Sequence, residues 1–464
     1  MCLWRRYFEL LLLVATSASC SESADPLPQL VVVVDTNAPV AGQVASVPSW
    51  QGVAVDTVRV DVLTPSDSPS REFVLPEPTD WPLSFGVAPA EGEPMLLRIR
   101  AFSSRWASPG VFEGIEVSDP YRPLTIDRLV ELRRPEEDVS RVRVLLDADC
   151  LGALVELGSA PSSCIDANRL HAAATEGIEP LADESPASDI GTWPALQITE
   201  CVGAPVEDRI CIPGGLSTLG DLALVGFGAG PELMDPVPMR PVELAPFWMD
   251  RLEFTVGRFR ALVLAGQVTA PLPDTAADSY AECVWRGADD ASNDGYPLNC
   301  VERETAVEAC GLVGGRLPSE AEWEHAARGR GDGRRYPWGN TTPDCCITGV
   351  QGVDCQGRGM EEAGSHPPER CGGVGDLSRD GVADLGGSLS EMFLDTLRPY
   401  DAACWSGPGA LRNPLCEDPS TKLRGLRGGN WRSGQLIAAA ALRHKDDNDA
   451  PITTGFRCAY EDGS

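Results

Sequence analysis

Positive charge is scarce in this sequence. Lysine and arginine together number 38, against 69 aspartates and glutamates, and the formal net charge is -31. No basic cluster locally reverses that sign. Because such a surface repels phosphate groups, the composition argues against nucleic acids and anionic membrane surfaces as direct binding partners. The simplest interpretation is that the acidity keeps an exported protein soluble.

Several catalytic and membrane signatures are also missing. The sequence contains no Gly-x-Ser-x-Gly nucleophile elbow and no Gly-x4-Gly-Lys-[Ser/Thr] loop, which argues against a serine hydrolase and a phosphate-loop protein. Beyond the first residues, no apolar run reaches the length of a transmembrane helix. What is present is a chain of 464 residues, of which 43% are hydrophobic. That is enough for a packed core and for two or three domains.

The N-terminus is typical of an export signal. Two arginines precede the apolar stretch Leu10–Ala15, which is too short to span a bilayer, and small residues lead into Cys20. This pattern resembles a bacterial lipoprotein signal, in which the cysteine carries the lipid. We therefore predict a signal peptide over residues 1–20, a tether over 21–29, and a lipid-anchored protein of the bacterial cell envelope whose only membrane contact is that lipid. The alternative is a cleaved secretory signal with an incidental cysteine, which gives a secreted or periplasmic protein.

The cysteine content fits export. Of the 16 cysteines, 14 remain when Cys2 is removed with the signal and Cys20 is taken as the lipid site. An even number in an exported chain indicates disulfides, although the sequence does not fix their connectivity. The alternative, a metal cluster, lacks the usual Cys-x2-Cys spacing among its candidate ligands Cys345, Cys346, Cys355 and Cys371. The neighbouring pairs that would close short loops are Cys150/Cys164, Cys201/Cys211, Cys283/Cys300 and Cys404/Cys416.

The first part of the chain has the periodicity of β-strands. In the segment Val58–Val62, valines alternate with Arg59 and Asp61, and similar alternation recurs further along. Period-2 alternation predicts strands with one buried and one wet face. We predict a β-sandwich-like domain over residues 30–146, followed by a cysteine-containing connector over residues 147–210. The domain contains no catalytic cluster, so a spacer or a protein-binding module is the expected role.

The second half of the chain carries a series of short motifs in a fixed order. One of them, Ser319 followed by Glu322, predicts a capping box at the start of a helix that Gly329 would end. The motifs are Pro213-Gly214-Gly215, Pro246-Phe247-Trp248-Met249-Asp250, Glu253-Phe254-Thr255, Pro297-Leu298-Asn299-Cys300-Val301, Gly315–Glu324, Ala326-Ala327-Arg328-Gly329, Tyr336–Asn340, Leu426–Trp431 and Gly455-Phe456-Arg457-Cys458.

Taken together, these motifs resemble the formylglycine-generating-enzyme family, also known as sulfatase-modifying factors. We assign residues 211–460 to a domain of this kind. The resemblance implies an α+β fold related to C-type lectins, with little regular secondary structure, short mixed sheets and two main helices. It also implies a disulfide between Cys310 and Cys458. On the loop-entropy model that bridge would stabilise the fold by roughly 4–5 kcal/mol.

The residues that the family uses for oxidation are replaced here. Family enzymes oxidise a sulfatase cysteine with Cu(I) and oxygen, and soft thiolates hold the copper. Counting from Arg427, the two thiol positions fall on Ser433 and Ala438, and the stretch Gly434–Ala441 contains no cysteine. Copper-dependent oxidation is therefore disfavoured, and the chain is not predicted to be an enzyme of this kind.

Two other metals of the family are also poorly supported. A related branch holds non-haem iron with three histidines, but the four histidines here form no His-x3-His pair, and His444 is expected in a solvated loop. Many members bind calcium near the segment that corresponds to Asp384–Met392. There Glu391 is kept as a candidate calcium ligand, whereas serine stands at Ser388 in place of asparagine. No cofactor is assigned with certainty; calcium is the candidate and copper is disfavoured.

A kept framework with lost thiols leads to two hypotheses. The first is an exported, membrane-anchored lipoprotein whose family-like domain is a non-oxidising binding or structural module for an unknown protein or small molecule. The alternative is a divergent formylglycine-generating-type oxidoreductase that acts on protein cysteine. By resemblance alone, a ligand would lie in the former active-site groove, near Arg427, Asn430, Trp431, Ser433 and Arg443.

Overall fold

The computed structural model describes most of the chain beyond the predicted signal. Cys20 and residues 1–27 lie outside the described part, so the predicted signal, lipid site and nearly all of the tether are not covered. Within the described part, the longest helix has 10 residues, and no helix is long and apolar enough to cross a bilayer. The described residues are 28–63, 69–112, 115–158, 161–166, 169–172, 174–175, 177–180, 188–225, 233–273, 282–351, 359–446 and 451–463.

Short strands dominate the first part of the chain, with one short helix, α1, at Ala41–Val44. The strands are β1 Gln29–Thr36, β2 Thr57–Leu63, β3 Ser70–Val74, β4 Leu83–Val87, β5 Met95–Phe102, β6 Ser108–Phe112, β7 Ile115–Asp119, β8 Ile126–Leu132, β9 Val139–Leu146, β10 Ser162–Asp166, β11 Arg169–Ala172, β12 Ala174–Thr175 and β13 Ile178–Pro180. They form a four-stranded sheet, β13-β9-β1-β4, a five-stranded sheet, β12-β8-β5-β2-β3, and the two-stranded sheets β6-β7 and β10-β11. Strand β1 pairs antiparallel with β4 and parallel with β9.

The two larger sheets contribute to one hydrophobic core. Val32 and Val34 of β1, and Leu97 and Ile99 of β5, are completely buried in it. Strand β12 pairs with β8, and β13 pairs with β9. Sheet pairing therefore continues beyond residue 146, where the sequence predicts the connector to begin.

The face of β2 that the sequence predicts to be wet is covered. Arg59 and Asp61 are each only 2% exposed. The Arg59 Nε donates to Asp61 Oδ1 at 2.8 Å, and Arg100 Nη2 lies 2.5 Å from Asp61 Oδ2. The expectation of a wet face is wrong at these positions. Pairing between opposite charges makes the burial of both groups tolerable.

The second part of the chain consists of short mixed sheets and a few helices. Its strands and helices are β14 Arg209–Ile212, β15 Gly215–Leu219, β16 Leu233–Met234, β17 Arg240–Leu244, β18 Phe247–Asp250, α2 Val256–Leu264, α3 Arg303–Leu312, α4 Glu320–Ala327, β19 Ser390–Met392, β20 Leu411–Arg412, β21 Arg424–Arg427, β22 Arg443–Asp446, β23 Thr454–Gly455 and β24 Ala459–Glu461. The sheets are β14-β18-β24, β15-β17-β20 and β16-β22-β21-β19-β23. The architecture is sheet-rich with few helices.

Helix α4 lies at the centre of this part, and all of its residues are buried. The predicted capping box is confirmed. The Ser319 hydroxyl accepts from Glu322 N at 3.1 Å, and the Glu322 carboxylate accepts from Ser319 N at 2.8 Å. Gly329 has a φ of +64° just beyond the last helical residues, as a glycine that ends a helix does. Glu320 and Glu324 are one turn apart and both point into the interior.

The described cysteines are all in disulfides. Cys310 and Cys458 are bonded, and this bridge joins α3 to the residue before β24. Cys346 is bonded to Cys371, which leaves neither thiol for the alternative metal cluster. Four further pairs are Cys150–Cys164, Cys201–Cys211, Cys283–Cys300 and Cys404–Cys416, and Cys345 is also in a disulfide. So many disulfides are typical of a protein from an oxidising, exported environment.

Candidate functional site

The residues placed in a groove by resemblance divide into two groups. Asn430, Trp431 and Ser433 lie on the loop after β21, and each is at least partly exposed. Arg427 on β21 and Arg443 on β22 have no exposed surface. Placing these two arginines in an open groove is therefore wrong.

Arg427 and Arg443 instead complete a buried charge network with α4. Arg443 binds Glu320 through two contacts of 2.7 Å, from Nε to Oε1 and from Nη2 to Oε2. Arg427 Nη2 lies 2.9 Å from Glu320 Oε1, 2.8 Å from Glu324 Oε2 and 2.6 Å from the Tyr400 hydroxyl. Burial alone would raise the pKa of the Glu320 carboxyl, but the two arginines outweigh burial and lower it. Both arginines therefore hold β21 and β22 against α4.

The two positions that correspond to the copper thiols converge on Gly429. A Cβ added to Gly429 would lie 3.2 Å from Ser433 Oγ and 3.4 Å from Ala438 Cα. The Ser433 hydroxyl is used locally, because it accepts from Asn430 N at 2.8 Å and donates to Asn430 O at 2.9 Å. The hydroxyl and methyl groups at these two positions cannot replace thiolates as Cu(I) ligands. The residues present do not fit a copper centre.

Ala438 is packed in an apolar cluster rather than facing a site. Ala438 has no exposed surface, and it belongs to the same cluster of buried residues as Tyr336, Val350 and Leu442. The Tyr336 ring stacks on Trp338 nearby, with ring centroids 5.3 Å apart. The segment that would carry the second thiol has thus become part of a hydrophobic core.

A pocket opens beside Trp431. About 390 Å³ of space, part of it open to solvent, lies between its walls. His366 is only 5% exposed, with Nδ1 2.9 Å from Cys346 O and Nε2 2.7 Å from Glu361 Oε2. Asp384 opens the segment Asp384–Met392, which the sequence motifs mark, but Glu361 and Glu362 lie in none of those motifs. The lining residues that matter here are Trp431, Ser388, Asp384, His366, Glu361 and Glu362.

Glu391, the calcium candidate, is occupied by donors. It is 1% exposed, and Arg457 Nε lies 2.9 Å and 2.8 Å from its two oxygens. Trp323 Nε1 also donates to Oε2 at 2.8 Å. A cation at this carboxylate would have to compete with a buried guanidinium. Among the described residues, no group of three or more His, Cys, Asp or Glu side chains could hold a metal ion.

Ser388, which stands where the family has an asparagine, binds a buried carboxylate. The Ser388 hydroxyl donates to Glu253 Oε2 at 2.9 Å, and Leu389 N donates to Oε1 at 2.9 Å. Burial, followed by the charges of Asp384 and Glu391, raises the pKa of the Glu253 carboxyl well above its ordinary value. Burial likewise raises the pKa of Asp384. The loop at Ser388 is therefore organised around a buried acidic side chain.

Asp376 belongs to the same acidic group. It is 1% exposed and accepts a hydrogen bond of 2.5 Å from the Thr348 hydroxyl. Burial, together with the charge of Asp384, raises its pKa from an ordinary value of 3.8 to about 8. The folded protein thus retains a proton on Asp376 at pH values where the unfolded chain has lost it.

This proton gives a testable pH dependence. The folded pKa is raised, so the stability contribution is present at low pH and is lost as the pH rises through about 8. Between pH 6.5 and 8, Asp376→Asn is expected to reduce the fall in unfolding free energy by up to about 1.4 kcal/mol per pH unit. Denaturant titrations across that window measure the slope. The exposed control Asp138→Asn should leave the slope as in the wild type; equal slopes for all three proteins would contradict the assignment.

Two buried histidines set the lower limit, pH 6.5, of the pH range in which Asp376 is tested. Burial lowers the pKa of His325 from 6.5 to about 4, and that of His444 likewise to about 4. Their contribution to stability is lost as the pH falls below 6.5, which opposes the trend from Asp376. His325 Nε2 lies 3.0 Å from Pro213 O. His444 lies on β22, paired with β16 and β21, so the expectation of a solvated loop is wrong.

The comparison with known families agrees with this architecture. Residues 197–462 match the model of the sulfatase-modifying factor enzyme 1-like domain. The chain belongs to this family. The family domain begins before residue 211, where the sequence motifs start, and includes the disulfide Cys201–Cys211.

Known members of the family show varied activities in their names. A formylglycine-generating enzyme of Streptomyces coelicolor is 32% identical over 190 residues, which cover 34% of this chain and 58% of that protein. A mouse protein named inactive C-alpha-formylglycine-generating enzyme 2 is 30% identical over 180 residues, which cover 36% of this chain and 50% of that protein. The solved structure of PvdO from Pseudomonas aeruginosa is 22% identical, with a TM-score of 0.42, and covers 55% of this chain and 96% of that one. The matched part of the chain thus spans only about half to three fifths of the length of the Streptomyces coelicolor and mouse proteins.

Proposed function

We propose that the family domain of this chain is a non-oxidising binding or structural module of an exported lipoprotein. The observation that carries the proposal is the replacement of both thiol positions by Ser433 and Ala438, with Ala438 completely buried in an apolar cluster. Every described cysteine is in a disulfide, so no free thiol among them could take over the role of a copper ligand. The relative whose name calls it inactive also supports this proposal.

The loop after β21 and the adjacent pocket are the proposed binding surface. Asn430, Trp431 and Ser433 remain accessible there, whereas Arg427 and Arg443 are withdrawn from it. The pocket wall also carries Glu362, whose carboxylate favours a ligand with a cationic or hydrogen-bond-donating group. A lectin-related framework suits this use, because its loops can vary while disulfides and buried pairs hold the frame.

The first part of the chain has a supporting role in this proposal. Its two larger sheets share one core, which supports the proposal of a β-sandwich-like module. We propose that the module acts as a spacer or a protein-binding unit between the lipid anchor at Cys20 and the family domain. Export and anchoring rest on the N-terminal sequence pattern, and the disulfides support export.

Oxidation of a cysteine peptide tests the proposal. The purified protein is incubated with Cu(I), oxygen and a sulfatase-type cysteine peptide, and mass spectrometry follows conversion of the peptide. No copper-dependent conversion is expected, because Cu(I) requires soft ligands that Ser433 and Ala438 do not supply. Copper binding is measured in parallel by competition with a Cu(I) chelator.

A thiol-restored variant is the matched control. The double variant Ser433→Cys, Ala438→Cys places two thiols around Gly429 and is expected to bind Cu(I) more tightly than the wild type. Robust turnover by the unmodified protein would overturn the proposal. That result would favour the alternative, a divergent formylglycine-generating-type oxidoreductase that acts on protein cysteine.

A further inference from the structure

A second pocket lies where the first part of the chain meets the family domain. About 300 Å³ of space, part of it open to solvent, lies between its walls, and it shares no lining residue with the pocket beside Trp431. Its wall combines apolar side chains with two guanidinium groups. The residues that matter are Trp50, Leu196, Ile198, Leu216, Arg330 and Arg379.

The pocket is built from five separate stretches of chain that are held closely together. A Cβ added to Gly331 would lie 3.3 Å from both Ser49 O and Leu216 O, so the loop beside Arg330 packs tightly on both neighbours. Thr199 and Gly214 exchange backbone hydrogen bonds of 3.2 Å and 2.8 Å. These contacts fix the pocket wall before any ligand arrives, which reduces the entropy lost on binding.

The apolar side of the pocket is a firm surface. Leu196 and Leu216 are 6% and 4% exposed and belong to the core shared by the two larger sheets. Trp50 packs against the same core while lining the pocket. Ile198 is 53% exposed at the rim. This surface suits the apolar body of a small molecule.

The polar side of the pocket is cationic in an otherwise acidic protein. Arg330 Nη2 lies 3.2 Å from Asp380 Oδ1, and Arg379 Nη1 lies 2.8 Å from Asp332 Oδ1. Arg334 Nε lies 3.7 Å from Asp332, so three guanidinium groups surround two carboxylates.

Arg330 also has a donor to spare. Arg330 Nε is buried and has no hydrogen-bond acceptor among the described residues. A guanidinium presents several N–H donors and prefers a planar anion such as a carboxylate. An excess of positive charge and an unsatisfied donor both point to an anionic ligand.

We propose that this junction pocket binds a small organic carboxylate with an apolar body. The apolar body lies against Trp50, Leu196 and Leu216, and the carboxylate is bound by Arg330 and Arg379. The pocket needs residues from before the family domain as well as residues within it. A carboxylate ligand would therefore stabilise the junction between the two parts. This inference is independent of the proposed non-oxidising function, because it uses none of the same residues.

Isothermal titration of the purified protein with 2-naphthoate tests the proposal, with neutral 2-naphthamide as the matched probe. Naphthoate is expected to bind at least about tenfold more tightly than the amide, since a charge-assisted hydrogen bond is lost with the charge. Arg379→Gln is expected to weaken naphthoate binding about tenfold. Arg379 has a side chain that is 38% exposed, so this variant should fold. Trp50→Ala should weaken both probes.

The control is Arg412→Gln, whose arginine is 72% exposed and outside the pocket. It should bind naphthoate as the wild type does. The proposal would be overturned by equal affinity for naphthoate and naphthamide, by unchanged affinity in Arg379→Gln, or by no naphthoate binding at about 1 mM. Arg330→Gln, which removes the buried donor, gives a second test whose result should match that of Arg379→Gln.

Discussion

Glu320→Gln is expected to lower the free energy of unfolding by about 3–5 kcal/mol, because it removes one partner from a buried ionic network. Glu320 is completely buried and accepts hydrogen bonds from both Arg427 and Arg443. After the substitution, Arg427 still reaches Glu324 and Tyr400. Arg443 keeps no carboxylate partner in the network and is left as a buried, uncompensated cation.

The other groups around Arg443 do not compensate for this loss. Its guanidinium lies 3.9 Å from the centroid of the Tyr400 ring, and its Nη1 already has no hydrogen-bond partner among the described residues. A cation–π contact is worth much less than the desolvation of an unpaired guanidinium. Strand β22 is therefore expected to lose its attachment to α4, whereas Arg427 still joins β21 to Glu324 of that helix.

The matched control is Glu243→Gln on strand β17. Glu243 pairs with Arg412 at 3.0 Å, but the arginine is 72% exposed. Exposed pairs contribute about 0–1 kcal/mol, so this variant should be close to the wild type in chemical denaturation. If Glu320→Gln lost no more stability than Glu243→Gln, the network would not be holding the strands to α4.

Features set by neighbouring residues could be predicted from the sequence. The capping box depends only on Ser319 and Glu322, three positions apart, and on the start of the helix between them. Gly329 ends the same helix through its own backbone freedom. Such features need no knowledge of distant parts of the chain.

Features set by distant partners could not be predicted in the same way. The alternation at Arg59 and Asp61 predicts a wet face, but the charges are buried because Arg100 of another strand completes the pairing. Arg427 has its motif, yet nothing near it in sequence points to Tyr400 as a partner. The sequence shows that a residue is charged, whereas its exposure is decided by what the fold brings to it.

One part of the candidate site could be predicted from the sequence, and another part could not. The loss of thiols at Ser433 and Ala438 can be read by counting along the chain, and the structure adds that both positions surround Gly429. The junction pocket could not be found by counting, since Arg330 and Arg379 lie 280 and 329 residues after Trp50 in a chain of 464 residues. No local pattern marks residues that meet only in the folded protein.

Removal of the disulfide Cys310–Cys458 is expected to have an effect of similar size to Glu320→Gln. The bridge spans 148 residues, and the loop-entropy model gives about 5 kcal/mol for a loop of that length. Both cysteines are completely buried in a core with Phe254 and Phe456. The double variant Cys310→Ala, Cys458→Ala also leaves a small cavity there, which adds to the loss.

The disulfide Cys404–Cys416 provides the control, because its loop spans only 12 residues. The same model gives about 3 kcal/mol for it, so the double alanine variant should lose less stability. Unfolding free energies from denaturant titrations of the two double variants and the wild type give the comparison. Equal losses would mean that the Cys310–Cys458 bridge acts through local packing rather than through the unfolded chain. A larger loss at Cys404–Cys416 would show that the long-range bridge does not stabilise the family domain as its loop length predicts.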